Sequence, residues 1–489
     1  MKLKSLVENL DFDLLRGSLD IDIKSLTIDS RNVSEGSLFI CISGFNVDGH
    51  KFIKSACEKG AVAVLCMRDL EISEDVTILK VKDTRDSLAF ISNNFFNRPS
   101  EKFRLIGVTG TNGKTSSTYF IETILKYAGR KPGVIGTVET RIGGEKFDHE
   151  KAGIHIAAST TPDNIELNML FNIMSERNVD DVVMEVSSHA LELKKVDYCN
   201  FYIGIFTNLT QDHLDLHGNM ENYCGAKARL FKMCKYGIVN ADDEYCDKII
   251  KNADCEIITF GIEKECDIKG LNIKYYMDRV NFDVQIEKEV YPFELNIPGR
   301  FSVYNALGAI GAALKMGVSI FDIQKGVNMI KGVPGRIQSV KNDKGFNVIV
   351  DYAHTPDGLE NIISSVREFT EGRVITVFGC GGDRDRKKRP IMGEIVSRLS
   401  DFSVLTSDNP RSEEPSAIIQ EIETGVKPIT ENYVLIVDRK DAIFKAVSMA
   451  KKGDSVIIAG KGHENYEIFA DRTIHFDDVE VAEEALQAL

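Results

Sequence analysis

Apolar positions along the chain follow two rhythms. Short, nearly continuous apolar runs occur at 37–42, 61–66 and 77–81, at 104–109, 181–186, 201–206, 237–239 and 256–260, and at 347–351, 373–378, 402–405, 433–436 and 455–459. Between them lie longer segments in which apolar residues recur every three or four positions, as Phe120, Ile121, Ile124 and Leu125 do. The first rhythm predicts buried strands and the second amphipathic helices, and their alternation predicts an α/β protein with parallel sheets. Residues 134–142 read as a strand and hairpin, 268–295 alternate in hairpin fashion, a helix is predicted from 164 and another over 223–234, and Gly299-Arg300-Phe301 opens an alanine-rich helix ending near Gly317. Two turn-forming clusters, Asn97-Arg98-Pro99-Ser100 and Gly332-Val333-Pro334-Gly335-Arg336, divide the pattern. They predict three domains, at 1–98, 99–335 and 336–489, with a Rossmann-like, doubly wound third domain; at 489 residues the chain is long enough for about three.

The stretch that declares chemistry begins as a strand at Arg104-Leu105-Ile106 and breaks into Gly110-Thr111-Asn112-Gly113-Lys114-Thr115-Ser116. Gly110 and Gly113 let the backbone curl with its N–H groups inward, and the helix that follows favours an anion at its start. Lys114 can then reach terminal phosphates and the Thr115 hydroxyl can ligate magnesium, so this is a phosphate loop with ATP as its expected ligand. A strict Walker pattern would place glycine at 108, where the chain has Val108, with Gly107 one place early.

Composition narrows the picture. With 43% apolar and 27% charged residues the chain is ordinary globular protein, and a formal net charge of -14 argues against a general nucleic-acid surface but not against an anionic substrate held by local cations. The first thirteen residues carry Glu8, Asp11 and Asp13 rather than a signal peptide, and no later run approaches a membrane span. Ten cysteines stand singly with no CxxC pair, which suits free thiols in a reducing compartment. A cytoplasmic protein without membrane insertion is expected.

Several polar residues fall at predicted strand ends. Glu185 ends one strand and His213 lies in the loop Asn208-Leu209-Thr210-Gln211-Asp212-His213; with Thr115 they could complete a magnesium site, although each alone is ordinarily a solvated or capping residue. Lys227, on a helix, would ordinarily face solvent. Asp29-Ser30-Arg31 and the cluster at 44–50 read as loops beside a strand. Asp351-Tyr352-Ala353-His354 could be an acid/base pair or a nucleotide clamp. Gly379-Cys380-Gly381-Gly382-Asp383-Arg384 follows a strand, but Arg384 replaces the third glycine of a dinucleotide turn, so a nicotinamide site is rejected.

Taken together with Asp48-Gly49-His50, Thr160-Thr161-Pro162, Glu185-Val186-Ser187-Ser188-His189, Asp408-Asn409-Pro410-Arg411 and Gly460-Lys461-Gly462-His463-Glu464, these motifs make the chain resemble the Mur ligases along its whole length. The resemblance implies a monomeric, ATP- and Mg2+-dependent ligase of peptidoglycan precursor synthesis, joining meso-diaminopimelate to UDP-N-acetylmuramoyl-L-alanyl-D-glutamate through an acyl phosphate. L-lysine is the alternative amine. A folylpolyglutamate synthetase is the alternative within the fold, and a nucleotide-driven switch without ligase activity is the alternative outside it.

It further implies that Ser30 lies in the uridine pocket and that Thr160, Thr161, Ser187 and Lys195 hold the muramoyl dipeptide. Residues 110–116, Asn305, Arg336, Asp351 and His354 would contact the nucleotide. Lys114, Glu185, His213 and a carbamylated Lys227 would be catalytic, with Thr115, Glu185, His213 and the Lys227 carbamate holding metal. Arg384, Asp408, Asn409, Pro410, Arg411, Gly460 and Glu464 would form the pocket for the incoming amino acid. Lys195 stands where an arginine is often found, and Ser302 where an asparagine is common.

Overall fold

The computed structural model describes residues 1–489 except 45–46, 70–74, 150, 152–153, 155–158 and 277. Phe45 and Asn46 of the loop noted above therefore lie outside the described residues. The described residues build three large sheets and a small C-terminal hairpin, Tyr466–Ile468 with Thr473–His475.

In the first sheet the strands run in the order Asp13–Arg16, Thr77–Lys80, Ala61–Cys66, Ser37–Ile40, Ser25–Thr27, parallel except for the first pair. Side chains alternate across it: Leu38, Ile40, Ala63 and Leu65 face one core with Leu88 and Ile91 of helix Thr84–Phe95, while Phe39, Cys41 and Val64 face the other with Ile53 and Ala56.

The second sheet has eleven strands among the described residues. Seven are parallel, in the order Ile268–Tyr275, Glu256–Gly261, Cys234–Asn240, Phe201–Phe206, Arg104–Thr109, Asp181–Glu185, Pro132–Ile135. The strand leading to the phosphate loop is thus central and covered on both faces, which is why its run is apolar without alternation. Gly107 belongs to that strand and not to the loop: a Cβ there would approach the Phe201 ring to 2.7 Å. Helix Lys114–Tyr127 buries Phe120, Ile121, Ile124 and Leu125 against the sheet, and Gly129 ends the turn with a positive φ of 76°. Residues 268–295 form three strands, Ile268–Tyr275, Val280–Ile286 and Glu289–Leu295, the last two antiparallel.

The helix predicted over 223–234 differs. It spans Met220–Ala228, tightens to a 3₁₀ turn at Arg229–Lys232, and Cys234 already opens the next strand. Leu230 and Phe231 keep the apolar spacing but are buried from the 3₁₀ turn.

The third sheet runs Gln338–Ser339, Asn347–Asp351, Ser455–Ala459, Val374–Phe378, Phe402–Leu405, Tyr433–Leu435, parallel after the first strand. Strand order reverses beside Ser455–Ala459, so loops after Asp351, Phe378, Leu405 and Ala459 open toward one another, where doubly wound sheets take ligands.

One staple joins the first sheet to the second. The Lys194 ammonium contacts Asp83 Oδ2 at 2.8 Å and Asp86 Oδ1 at 3.2 Å, and the Tyr198 hydroxyl donates to Asp86 Oδ2 at 3.0 Å. The next residue, Lys195, pairs instead with Asp163 Oδ2 at 3.3 Å, at the start of helix Asn164–Glu176.

Candidate active site

The phosphate loop is held open from two sides. The Asn112 amide donates to Asn208 Oδ1 at 2.9 Å, and its carbonyl accepts from the Thr207 hydroxyl at 2.6 Å and Asn208 Nδ2 at 3.2 Å. Gly113 takes a φ of 85°, and a Cβ there would collide with Asn305 Oδ1, which places the buried Asn305 side chain against the loop. Lys114 donates to the carbonyls of Gly110 and Thr111, both at 2.8 Å, and burial draws its ammonium below the usual range. Phosphate oxygens reaching this loop would replace those carbonyls with full negative charges, the stronger kind of acceptor.

Thr115 and Glu185 meet: the threonine hydroxyl donates to Oε1 at 3.0 Å, and the Thr137 amide and hydroxyl donate to the two carboxylate oxygens at 2.9 and 3.0 Å. Both residues are buried. A buried carboxylate beside a hydroxyl at the start of a phosphate-binding helix is the donor chemistry a hard divalent cation takes. Among the described residues no three His, Cys, Asp or Glu side chains converge on a point. The remaining ligands would therefore come from water, phosphate oxygens or a modified side chain.

Lys227 is the side chain whose placement departs furthest from the ordinary expectation: it is 1% exposed, not solvent-facing. Its Nζ lies 4.6 Å from the centre of the Tyr223 ring, one helical turn earlier. Burial pushes the amine well below the usual lysine range, and Lys114 pushes it the same way. A dry site disfavours two ammonium ions side by side and so favours the neutral form of the Lys227 amine. The Tyr223 hydroxyl is 3.2 Å from Thr111 Oγ1, tying this helix to the phosphate loop.

His213 caps a short helix in a left-handed conformation, with Nε2 3.3 Å from Asp212 Oδ2 and its ring edge-on to His189 at 4.8 Å. It lies at the mouth of the site and is nearly half exposed.

Thr160, Thr161 and Ser187 line one side of Glu185. The Thr161 hydroxyl donates to the Glu185 carbonyl at 3.0 Å and accepts from the Ser187 amide at 3.1 Å, while Thr160 Oγ1 accepts from Thr137 at 3.1 Å. Ser187 caps helix Ser188–Glu192. Ser30 sits in the first sheet's loop, its carbonyl accepting from Lys59 Nζ at 3.0 Å. The structure places it apart from these residues, in a separate sheet.

The loops of the third sheet bring together the remaining residues. Asp351 is a clamp for its own loop, accepting from the amides of Ile337 and Ala353 at 2.8 Å each, with burial raising its carboxyl. The Arg336 guanidinium stacks 4.6 Å over the Tyr352 ring, and His354 Nδ1 lies 2.8 Å from the Tyr352 carbonyl. Glu464 Oε2 accepts from Asn409 Nδ2 at 2.8 Å and lies 3.6 Å from the buried Lys461 ammonium; Asn409 Oδ1 accepts from the Ile468 amide at 3.0 Å. Asp408 is buried beside Gly460, whose φ of 122° brings the backbone close. The Pro410 carbonyl lies against Gly382.

Arg411 has the left-handed φ of 53° and donates through Nη1 to the Gly382 carbonyl at 2.9 Å and the Asn409 carbonyl at 3.4 Å. Among the described residues no carboxylate stands within ion-pair distance of it. Glu413 is taken by the fully buried Arg389 at 2.8 Å. Arg384 is exposed, with its guanidinium on the Asp383 carbonyl at 3.3 Å, and sits at the rim. Asp163, Arg389, Lys461 and Asp357 are working parts of this arrangement that the sequence did not single out. Lys461 could have been found as the lysine inside the Gly460-Lys461-Gly462 turn.

A phosphate loop on a central parallel sheet, tied through Asn112 and Thr210 to Asp357 beside a doubly wound sheet, is the arrangement of a nucleotide-using enzyme. Family models match three stretches of the chain: the Mur ligase family catalytic domain residues 22–96, the Mur ligase middle domain 108–313, and the Mur ligase glutamate ligase domain 335–462. The chain belongs to the Mur ligase family. It is 47% identical over 491 residues to UDP-N-acetylmuramoyl-L-alanyl-D-glutamate--2,6-diaminopimelate ligase 1 of Clostridium acetobutylicum, covering 100% of both chains, and 47% identical over 493 residues to the corresponding ligase of Clostridioides difficile, covering 100% of both. A solved structure of a UDP-N-acetylmuramoyl-L-alanyl-D-glutamate--2,6-diaminopimelate ligase superposes with a TM-score of 0.72 at 29% identity, covering 100% of this chain and 99% of that one. The folylpolyglutamate synthase of Mycobacterium tuberculosis, solved with ADP and AMPPCP, shares the fold over 77% of this chain and 92% of its own at a TM-score of 0.63 and 18% identity.

Proposed function

We propose that the chain is the ATP-dependent ligase that adds meso-diaminopimelate to UDP-N-acetylmuramoyl-L-alanyl-D-glutamate, working as a cytoplasmic monomer. Its parts are a UDP-substrate domain at 1–98, an ATP-binding domain at 99–335 and an amino-acid domain at 336–489. The observation that carries this reading is Arg411, a guanidinium with no carboxylate among the described residues within ion-pair distance, beside the strand-end loop at 379–384, in a chain alike over its whole length to diaminopimelate ligases.

The chemistry follows from the poor electrophilicity of a carboxylate. The D-glutamate side-chain carboxylate takes the terminal phosphoryl group of ATP, and ADP leaves; the amine nitrogen then attacks the acyl carbon, phosphate leaves and the nitrogen loses a proton. Lys114 and the inward amides of residues 110–116 stabilise charge on the phosphoryl group as it transfers. Asn305, Arg336, Asp351 and His354 hold the nucleotide beside it. Thr115, Glu185, His213 and a Lys227 carbamate would hold magnesium, which supplies charge neutralisation at the transferring phosphoryl oxygens. Lys227 suits carbamylation because only a neutral amine attacks carbon dioxide, and its burial favours that form. Thr160, Thr161, Ser187 and Lys195 hold the dipeptide, and Ser30 the uridine. Arg411 grips the distal carboxylate of diaminopimelate, with Arg384, Asp408, Asn409, Pro410, Gly460 and Glu464 around it.

The test is phosphate release from ATP with each substrate omitted in turn. Release that requires both the UDP-dipeptide and meso-diaminopimelate is expected; release without either, or none with both, would overturn the reading.

A further inference from the structure

The loop that holds the nucleotide is gripped from outside its own sheet by one carboxylate. Asp357 Oδ2 accepts from Asn112 Nδ2 at 2.5 Å, across 245 residues of chain, and from the Thr210 hydroxyl at 3.1 Å. Asn112 belongs to the phosphate loop, and Thr210 to the loop that continues into His213. Asp357 stands in the first turn of helix Pro356–Arg367, packed on the third sheet. An aspartate at that position is ordinarily a favourable partner for the helix start. Here, however, the cap is made by another residue: the Thr355 hydroxyl accepts from the Gly358 amide at 3.1 Å. The oxygen of Asp357 is spent on two donors of the second sheet.

We infer that Asp357 is a positioning residue that couples the seating of the third sheet to the conformation of the phosphate loop, so that phosphoryl transfer is aligned only when the amino-acid site is in place. Asn112 can move neither its backbone, fixed by Thr207 and Asn208, nor its amide group, fixed by Asp357, without breaking a bond. The carboxylate is shared between the loop under the phosphates and the loop leading to His213, so its withdrawal would loosen both together. Seating of the third sheet brings Asp351, His354 and Arg336 to the nucleotide in the same movement, because they precede Asp357 in one continuous segment. Misplacement of a reacting group by about 1 Å is enough to cost about a hundredfold in rate.

This inference rests on the ligase reading above, and the experiment separates the two. The full-length parent, Asp357→Ala, Asn112→Ala and the double variant are assayed for amide formation and for ATP affinity by nucleotide binding, with Asp357→Asn as a variant that keeps one acceptor oxygen in place. Loss of a charge-assisted hydrogen bond predicts that Asp357→Ala lowers kcat by about ten- to a hundredfold while ATP affinity changes by less than about threefold. Asp357→Asn should recover most of that loss, and the double variant should be no worse than the poorer single one. Multiplying losses in the double variant, unchanged kcat in Asp357→Ala, or loss in Asp357→Asn equal to that in Asp357→Ala would overturn the coupling. A parent that forms no amide at all would overturn the ligase reading instead.

Discussion

Replacing Arg411 by alanine tests the amine specificity most directly. The residue already sits at a φ of 53°, so alanine takes no worse backbone than arginine and the change isolates the guanidinium. Among the described residues that group hydrogen-bonds to the Gly382 and Asn409 carbonyls through Nη1 and to no carboxylate. Two unit charges about 4 Å apart attract by about 4 kcal/mol at an effective dielectric of about 20. Arg411 is half-buried, and screening by water removes about half of this. The remaining ~2 kcal/mol is a preference of about 30-fold for the amine that carries a distal carboxylate. The parent should therefore use meso-diaminopimelate and refuse L-lysine, and Arg411→Ala should lose about 30-fold in kcat/KM for diaminopimelate with little change for lysine. Side-by-side kinetics with both amines measure it. A parent that uses lysine as well as diaminopimelate, or a variant that keeps its preference, would refute the assignment.

Lys114→Ala should abolish acyl-phosphate formation while leaving the unfolding temperature near that of the parent, since among the described residues the ammonium bonds to carbonyls of its own loop; near-normal turnover would remove the phosphate-loop assignment. Lys227→Ala should lose activity that added short-chain carboxylates partly restore, and a fully active variant would leave the residue without a catalytic part. For the first sheet the sign of a pH effect can be worked out. The Asp48 carboxyl is held down at about 2 by the His50 side chain, 2.6 Å away, below its unfolded value. That contribution is present above the unfolded pKa and is lost as pH falls through the folded one. Acid unfolding followed between about pH 4 and 2 should therefore begin at higher pH in Asp48→Asn, and coincident curves would refute it.

What the sequence made legible was whatever is written in local spacing. The phosphate loop, the central strand and helix 114–127 follow from glycine chemistry and an apolar rhythm that no neighbour overrides. Gly107 was misleading as a displaced Walker glycine because the reason for it, the Phe201 ring, belongs to a strand nearly a hundred residues away. The burial of Lys227 was hidden for a similar cause. Helix Met220–Ala228 is covered by its surroundings and not by an apolar stripe of its own, so no periodicity marks which face goes inward. Residues 466–475 went unread because their strands are three residues each, too short to alternate. Thr355-Pro356-Asp357 reads locally as a helix start, which it is, and that local sufficiency conceals the long contact to Asn112. Arg411 was singled out in sequence, but its freedom from Glu413 depends on Arg389 having claimed that carboxylate.

The two adjacent lysines of the staple between the first and second sheets set a length. Lys194 is fastened to Asp83 and Asp86 at the start of helix Thr84–Phe95, and Lys195 to Asp163 at the start of helix Asn164–Glu176, so two consecutive residues set the spacing of those two attachments. A backbone step is about 3.8 Å and has no slack in it. The pair works as a gauge: if the proposed uridine and dipeptide residues hold the two ends of one substrate, an analogue longer or shorter by one bond should fill either end but not both at once.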